Sequence, residues 1–361
     1  LTAADVPPRP GSGTTQLSSH VAKFLRLHAR AQPANFGSRR ADAPSALMSA
    51  AARRNKFRLT KVHNNYYVVT GGRRVIGGFA VHQTSLSSSD ALRASISSPL
   101  AKQYLQLEGI PVPSGRQFHL EDFKEARNHF EGMSIPAVVK PASSTHGVGV
   151  TTNIDSVAEF ESAWSVASLA RSPEPDSDQR LMVEEYVSGL DVRAFVVGEV
   201  VVAAVARVPL FFIGDGMRKI GERIAETSAH RTAHPLLGKF DYDATAFIAT
   251  SGYDADELST IDGVYPLASK VNMRSGGVTV DVTDQLGAEV QELAVAAAWS
   301  IPGCKAAGVD LLVEDLDSTN GAVVLDVDVR AGISAHHYPW IGHRQQVADA
   351  LVKKMHENSR G

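Results

Sequence analysis

The sequence predicts an α+β protein built from more than one packed unit. Three observations lead there. At 361 residues the chain is longer than one small core needs. Hydrophobic residues make up 43% and charged residues 21%, a globular balance that excludes a disordered or fibrous chain. Helix and strand signals are interleaved along the chain, and no fixed-period repeat organises them.

The elements follow in order. Residues 1–16 are rich in Pro, Gly and small polar residues, which bury little, and they read as a flexible arm. Ser18 or Ser19 caps a helix that runs to Ala29 and stops before Pro33. A helix over 46–54, strands over 57–62 and 66–70, a Gly71-Gly72 turn and a strand over 74–79 make a small α/β unit ending near Ser98. A helix over 99–108 stops at Gly109, and Ile110-Pro111-Val112-Pro113 is an extended entry to the next unit. A helix over 121–130 precedes a short apolar strand over 137–140. A glycine loop, 143–149, then leads straight into a strand at 150–152. A polar linker, 172–179, precedes a strand over 181–186 and a long hairpin, 192–197 with 200–208. Near the end come a strand over 278–282, an Ala-rich helix over 288–300, and acidic strands over 308–313 and 322–329 joined by the turn-rich segment 315–321. The expected domains are an arm and short helix over 1–45, a small N-terminal domain over 46–98, and two subdomains over 99–183 and 184–361.

Composition also narrows the partners. The charge balance is 36 Lys and Arg against 39 Asp and Glu, with no run of like charge standing out. Nucleic acid and membrane are therefore not expected partners. The most apolar stretch, 192–209, is interrupted by Arg193, Glu199 and Arg207, so no membrane span is expected. The start has neither an initiator Met nor the order of a signal peptide, which reads as a trimmed or leaderless start. The single cysteine, Cys304, excludes an intramolecular disulfide framework and a multi-Cys zinc site, and fits a reducing, cytoplasmic setting.

Three features carry chemistry. The loop after Lys140 has glycines at 147 and 149 and runs into a strand, where a dinucleotide fingerprint requires a helix. It also lacks the Gly-Lys-Ser/Thr ending of a P-loop. It reads either as a plain hairpin turn or as a cover whose backbone N–H groups fold over phosphates, with Lys140 as a fixed charge at its base. Asp310, Asp326 and Asp328 sit on the late strands, and Asp326 and Asp328 share a face by the period of two. They are either solvated strand ends or ligands of a hard cation such as Mg²⁺. The run Glu184-Glu185-Tyr186-Val187-Ser188-Gly189-Leu190-Asp191 turns one strand into another. It is either an interdomain crossover or a place where backbone near Glu185 and Val187 reads an adenine edge and Asp191 holds ribose hydroxyls. His336, His337, His343, His230 and His234 read as pocket or structural residues rather than a zinc site. His146, inside the loop, can reach a phosphate when the loop closes.

Taken together, Lys140 with its glycine loop, the Glu-Glu-Tyr-Val hinge, Asp310 and the Asp326-x-Asp328 pair resemble the ATP-grasp ligases in order and spacing. Within that superfamily the chain resembles the branch of cyanophycin synthetase and glutathione synthetase-like enzymes. The match is best at Ala206-Arg207-Val208-Pro209 with Ile213-Gly214-Asp215-Gly216, at Asn272 with Gly276-Gly277 and Asp281-Val282-Thr283, and at Ala307-Gly308-Val309-Asp310. The resemblance covers about residues 95–355. It implies an ATP-grasp fold of two α+β subdomains gripping ATP. It also implies a reaction in which a carboxylate is phosphorylated and an amine displaces phosphate to form an amide.

The resemblance assigns Lys140, Ser143, Ser144, His146, Gly147, Val148 and Gly149 to the phosphates, and Glu184, Glu185, Tyr186 and Val187 to the adenine. It assigns Asp191 to the ribose, and Asp310, Asp326 and Asp328 to two Mg²⁺ ions. Arg207, Asn272, Arg274 and Arg330 fall to the transferred phosphate or acyl substrate. Three positions depart from the family pattern. Ser98-Pro99 stands for Asp-Lys, with Lys102 the nearest lysine. Asp326-x-Asp328 stands for Glu-x-Asn, and Ala331-Gly332 for Pro-Gly. The implied partners are small-molecule carboxylate and amine substrates, with a homodimer left open. Two alternatives stay beside the ligase: an ATP-binding regulator without turnover, and a ligase that adds amino acids to a protein.

Overall fold

The computed structural model describes residues 17–28, 33–37, 40–143, 147–171 and 178–360. The expected arm over 1–16 and most of the polar linker lie outside them. The chain opens with α1 (Ser19–Leu27), whose N-terminus is capped by Ser18 Oγ accepting from Val21 N at 3.3 Å. Next comes α2 (Pro44–Arg54), which begins with a proline in its first turn, where no N–H is needed. An antiparallel meander follows: β1 (Arg58–His63), β2 (Tyr66–Gly71), β3 (Arg74–Ala80) and β4 (Gln83–Thr84). Two helices, α3 (Ser89–Ser95) and α4 (Ser98–Leu107), lead out of this unit.

The second unit contains β5 (Gly115–Phe118), α5 (Phe123–Glu131), β6 (Ala137–Pro141), β7 (Thr151–Ile154), α6 (Val157–Leu169) and β8 (Leu181–Glu185). Its sheet has the order β5-β8-β6-β7, with every pair antiparallel. Its core joins Phe118, Val139, Ile154, Leu181 and Val183 of the sheet to Phe130, Phe160 and Trp164 of the helices. The Phe130 and Phe160 rings stack at 4.8 Å.

The third unit is built on a long hairpin, β9 (Leu190–Val197) and β10 (Val200–Pro209). An excursion through β11 (Phe211–Ile213), α7 (Ile220–Ala233), α8 (Ala244–Ser251) and β12 (Val264–Pro266) follows. The chain then returns through β13 (Gly277–Asp281), α9 (Ala288–Trp299), β14 (Ala306–Val313), β15 (Val323–Asp328), α10 (Ser334–His337) and α11 (Val347–Asn358). The five-stranded sheet has the order β13-β10-β9-β14-β15.

Strand alternation gives this sheet two unlike faces. Val192, Ala194, Ala206, Val208, Val280, Val309 and Leu311 are buried with Val290, Ala294 and Ala297 of α9. The small alanines let that helix lie close against the sheet. The opposite face carries the charged residues described below. At its far end, Phe195, Val197 and Ala306 share a core with Leu47, Val69 and Phe79 of the N-terminal unit and Leu351 of α11. The segment 46–98 is therefore packed into a core it shares with the chain's last helix.

Most expected elements appear within a residue or two. The helix expected over 121–130 begins instead as a 3₁₀ turn, Leu120–Asp122, before α5. The sequence does not announce α3, α6, α7, α8, α10, α11, β4, β5 or the β11–β12 pair. Their hydrophobic patterns are short or compete with Ser, Thr and His, and tertiary packing decides them.

Candidate active site

Two sheets bring the site together. On the first, β6 and β8 pair so that Lys140 stands opposite Met182, beside Val138 opposite Glu184. Glu184 is buried, and its Oε2 lies 3.0 Å from Lys140 Nζ. Its Oε1 lies 2.7 Å from Lys102 Nζ, brought in by α4. Lys102 is itself buried and donates to the carbonyl of Pro113 at 3.0 Å. Burial works to raise the Glu184 carboxyl, but the two ammonium groups outweigh it and hold it below the ordinary range. Burial and the neighbouring Lys140 push Lys102 down to about 8, against the pull of Glu184. Gly115 is required here, because a Cβ built on it would sit 2.6 Å from the carbonyl oxygen of Val183.

Lys102, in the sequence only the lysine nearest to Ser98-Pro99, thus shares its carboxylate with Lys140. A signal for it existed: Pro99, Lys102 and Leu105 recur at three-residue spacing on the buried side of α4. Glu184 turns its carboxylate to the two lysines. The Glu185 N–H is taken by the carbonyl of Ser114 at 2.9 Å and that of Tyr186 by Pro136 at 2.8 Å, while Val187 is half-buried.

In the loop after Lys140, the buried Ser143 accepts from the N–H of Asp178 at 3.2 Å. Gly147 and Gly149 take the left-handed backbone, with φ of 70° and 78°, and Val148 is exposed. Ser144 and His146 lie outside the described residues.

On the second sheet, register places the charges in rows. Val205, Arg193, Asp310 and Asp326 stand in one cross-strand row, and Arg207 faces Asp191 in the next. Arg193 donates to Asp310 through two parallel bonds of 2.6 and 2.7 Å. Arg207 donates to Asp191 at 2.8 Å and reaches the second oxygen of Asp310 at 3.1 Å. Although burial works against it, Asp310 is held down at about 2 by the two guanidiniums. Burial raises Asp191 despite Arg207. In the sequence Arg193 stands out only as an interruption of an apolar run. The alternation Asp191-x-Arg193 already puts it on the charged face.

Asp326 has no such compensation. Burial first, and then repulsion from Asp310 and Asp328, push its carboxyl up to about 7. Asp328 Oδ1 accepts from Ser95 Oγ at 3.1 Å and from the Arg330 N–H at 2.8 Å. Gly308 lets the following loop cross close by, since a Cβ there would lie 2.6 Å from that of Ala331. The two sheets meet electrostatically at this point, for Asp326 feels Lys140 and Lys102 feels Asp326.

Among the described residues no three His, Cys, Asp or Glu side chains form a ready metal cage. Asp310 is already neutralised by two arginines. The undercompensated Asp326, with Asp328 beside it, is where a divalent cation fits, since Mg²⁺ takes one or two protein carboxylates and completes its shell elsewhere.

The remaining residues gather at the return into β13. Asn272 caps a 3₁₀ turn by accepting from the Arg274 N–H at 2.9 Å, and the exposed Arg274 lies over the Phe240 ring at 5.3 Å. Buried Arg231, absent from the sequence reading, pins this turn by donating to the carbonyl of Met273 at 2.9 Å. His234 and His337 accept backbone N–H groups, at Leu237 and Ala348 respectively, so they serve the fold. His336 is fully buried with its ring edge-on to Phe195.

No protein-family model matches the chain. The cyanophycin synthetase of Synechocystis sp. is 30% identical over 293 residues, covering 76% of this chain and 32% of that protein. The glutathione biosynthesis bifunctional protein GshAB of Pasteurella multocida is 26% identical over 272 residues, covering 71% of this chain and 34% of that protein. The chain thus spans about a third of the length of these relatives. The crystal structure of a bifunctional glutathione synthetase from Pasteurella multocida superposes with a TM-score of 0.62 at 21% identity, over 86% of this chain and 44% of that one. The chain is an ATP-grasp-fold protein, similar to the cyanophycin synthetase and glutathione synthetase branch of that superfamily.

Proposed function

We propose that the chain is an ATP-dependent ligase that joins a carboxylate, on an amino acid or short peptide, to an amine through an acyl phosphate, giving an amide with ADP and phosphate. The observation that supports this most is the nearness of Lys140 on β6 and Lys102 on α4, which share Glu184, to Asp326 on β15 of the other sheet. Ammonium groups suited to phosphate oxygens and a carboxylate suited to a divalent cation are then near enough for their charges to act on one another.

In this reading Lys140, Ser143, Ser144, His146, Gly147, Val148 and Gly149 hold the ATP phosphates, and backbone near Glu185, Tyr186 and Val187 reads the adenine. Asp326 and Asp328 hold Mg²⁺. Bound there, ATP supplies the γ-phosphoryl group that activates the carboxylate, and Mg²⁺ neutralises its charge in transfer. Glu184 pairs with both lysines and fixes where their ammonium groups point. Arg207, fixed through Asp191 and Asp310, orients the substrate carboxylate with Asn272, Arg274 and Arg330. A cytoplasmic setting, where ATP and reducing conditions are at hand, belongs to the same proposal. A homodimer is the assembly to look for by sedimentation.

One observation favours a second reading. Asp310, assigned to metal by resemblance, is tied up by Arg193 and Arg207, which suits a nucleotide-binding regulator without turnover. Incubation with MgATP and pooled amino acids decides between them. ADP and phosphate in step with amide formation, with an acyl phosphate trapped by hydroxylamine as a hydroxamate, support the ligase. Stoichiometric AMP and pyrophosphate overturn it, and nucleotide binding without substrate-dependent turnover favours the regulator.

A further inference from the structure

Between Asp42 and Asp90 the chain contains no Asp or Glu, while it carries seven Lys and Arg: Arg53, Arg54, Lys56, Arg58, Lys61, Arg73 and Arg74. The rest of the chain holds 29 Lys and Arg against 39 Asp and Glu, so the charge is strongly segregated. The sequence reading found no run of like charge because no three of these residues are consecutive. Folding places Arg53 and Arg54 at the end of α2 and the other five on or beside the N-terminal meander.

Arg54 pairs with Asp349 and Arg53 rests on Ser49. Among the described residues, Lys56, Arg58, Lys61, Arg73 and Arg74 are exposed and pair with no carboxylate. Arg58 and Lys61 lie on β1 with Lys56 just before it, and Arg73 and Arg74 lie where the β2–β3 turn enters β3. β1 is the edge strand of its sheet, and its outer side pairs with no other described strand. Val62, Tyr66 and Val75 are exposed among the charges, at 60, 59 and 65%. Arg58, Thr70 and Val75 form one cross-strand row of this surface.

We propose that this surface docks an acidic polypeptide segment, laid as an added strand along the outer edge of β1. An extended peptide meets all three features at once: free edge backbone, unpaired cations, and exposed valines that suit side chains better than phosphates. Charges on an edge strand also keep it from pairing with another copy, but that role is met by Lys61 alone and does not call for an acid-free stretch with cations on the opposite turn. At the other end of the meander, His82 lies 3.8 Å from where a Cβ of Gly332 would be, in the loop that follows Asp328. A segment docked on β1 therefore lies on the unit that borders the candidate active site, although binding itself requires no ligase turnover.

The test uses the full chain without nucleotide and a fluorescein-labelled Glu-Asp repeat peptide of about twelve residues, read by anisotropy. The result expected is saturable binding that weakens as salt rises, with protection of the β1 amides from hydrogen exchange. Arg58→Glu/Lys61→Glu, and separately the turn variant Arg73→Glu/Arg74→Glu, should each weaken binding by about tenfold, as two exposed charge pairs reversed allow. Both alter exposed side chains, and circular dichroism verifies their fold. Binding no stronger than that of an uncharged Gly-Ser peptide, or unchanged in both variants, overturns the proposal. Tighter binding of a single-stranded oligonucleotide or phosphatidylserine vesicles of matched charge, without protection of β1, overturns the choice of partner.

Discussion

Replacing Lys102 with methionine probes the more buried of the two ammonium groups that share Glu184. Methionine keeps much of the stem volume and removes the ammonium, so Glu184 loses its 2.7 Å partner and keeps Lys140 at 3.0 Å. Breaking a buried pair leaves an uncompensated charge and costs roughly 3–5 kcal/mol. With Lys140 still in place, the expected loss is about 3 kcal/mol, the low end of that range. Glu184→Gln should cost a similar amount by leaving two ammonium groups facing each other. The double variant removes both charges and should lose less than the sum of the singles by at least about 1 kcal/mol.

The pH dependence gives an independent check. Lys102 has a folded value of about 8, below its ordinary 10.5, so between those values the unfolded chain binds the extra proton. Stability should therefore rise with pH across that window in the wild type, relative to Lys102→Met. Urea melts followed by circular dichroism at pH 7, 8, 9 and 10 measure both effects. Single-variant losses that add within about 0.5 kcal/mol, or a pH profile identical in wild type and Lys102→Met, would refute the shared-carboxylate account.

Other predictions are narrower. Asp326 has a raised carboxyl, so the native state holds a proton that the unfolded chain has lost between the ordinary aspartate value of 3.8 and about 7, and stability falls as pH rises through that range. Asp326→Asn should therefore melt at a higher temperature than wild type at pH 8 but not at pH 4, and added Mg²⁺ should raise the wild-type melting temperature alone. Lys140→Ala should lower ATP affinity, measured calorimetrically, with a far-UV spectrum like the wild type's, and Lys140→Arg should not fully restore it, since a planar guanidinium replaces a point charge. Gly115→Ala forces a Cβ to 2.6 Å from Val183 O, and a loss of about 2 kcal/mol or more in a urea melt is expected.

The candidate site was legible where periodicity and residue type act locally. Asp326-x-Asp328 shares a face because strand alternation requires it, and Lys140 ends an apolar strand before a glycine loop for reasons visible within ten residues. Arg207 and Asp191 were both singled out, but as separate ligands of substrate and ribose. The hairpin register sets them opposite each other, 16 residues apart in sequence and 2.8 Å apart in space. Lys102 was noted only for its proximity to a missing lysine, since nothing within α4 shows that β8 will lay a carboxylate on it.

Fold class, the chain order of the strands that bear the site, the apolar alternation of β9, β10 and β14, and the acid-free stretch between Asp42 and Asp90 set against an acidic remainder can all be read from the residues alone. Those are properties of residues and their near neighbours. Which charge meets which follows from the packing of the sheets and helices: Glu184 serves two lysines, Asp310 is held by two arginines, and Asp326 is left undercompensated. Electrostatic energy in a buried site depends on distances and desolvation between strands far apart in sequence, whereas the alternation that builds each strand is complete within a few residues.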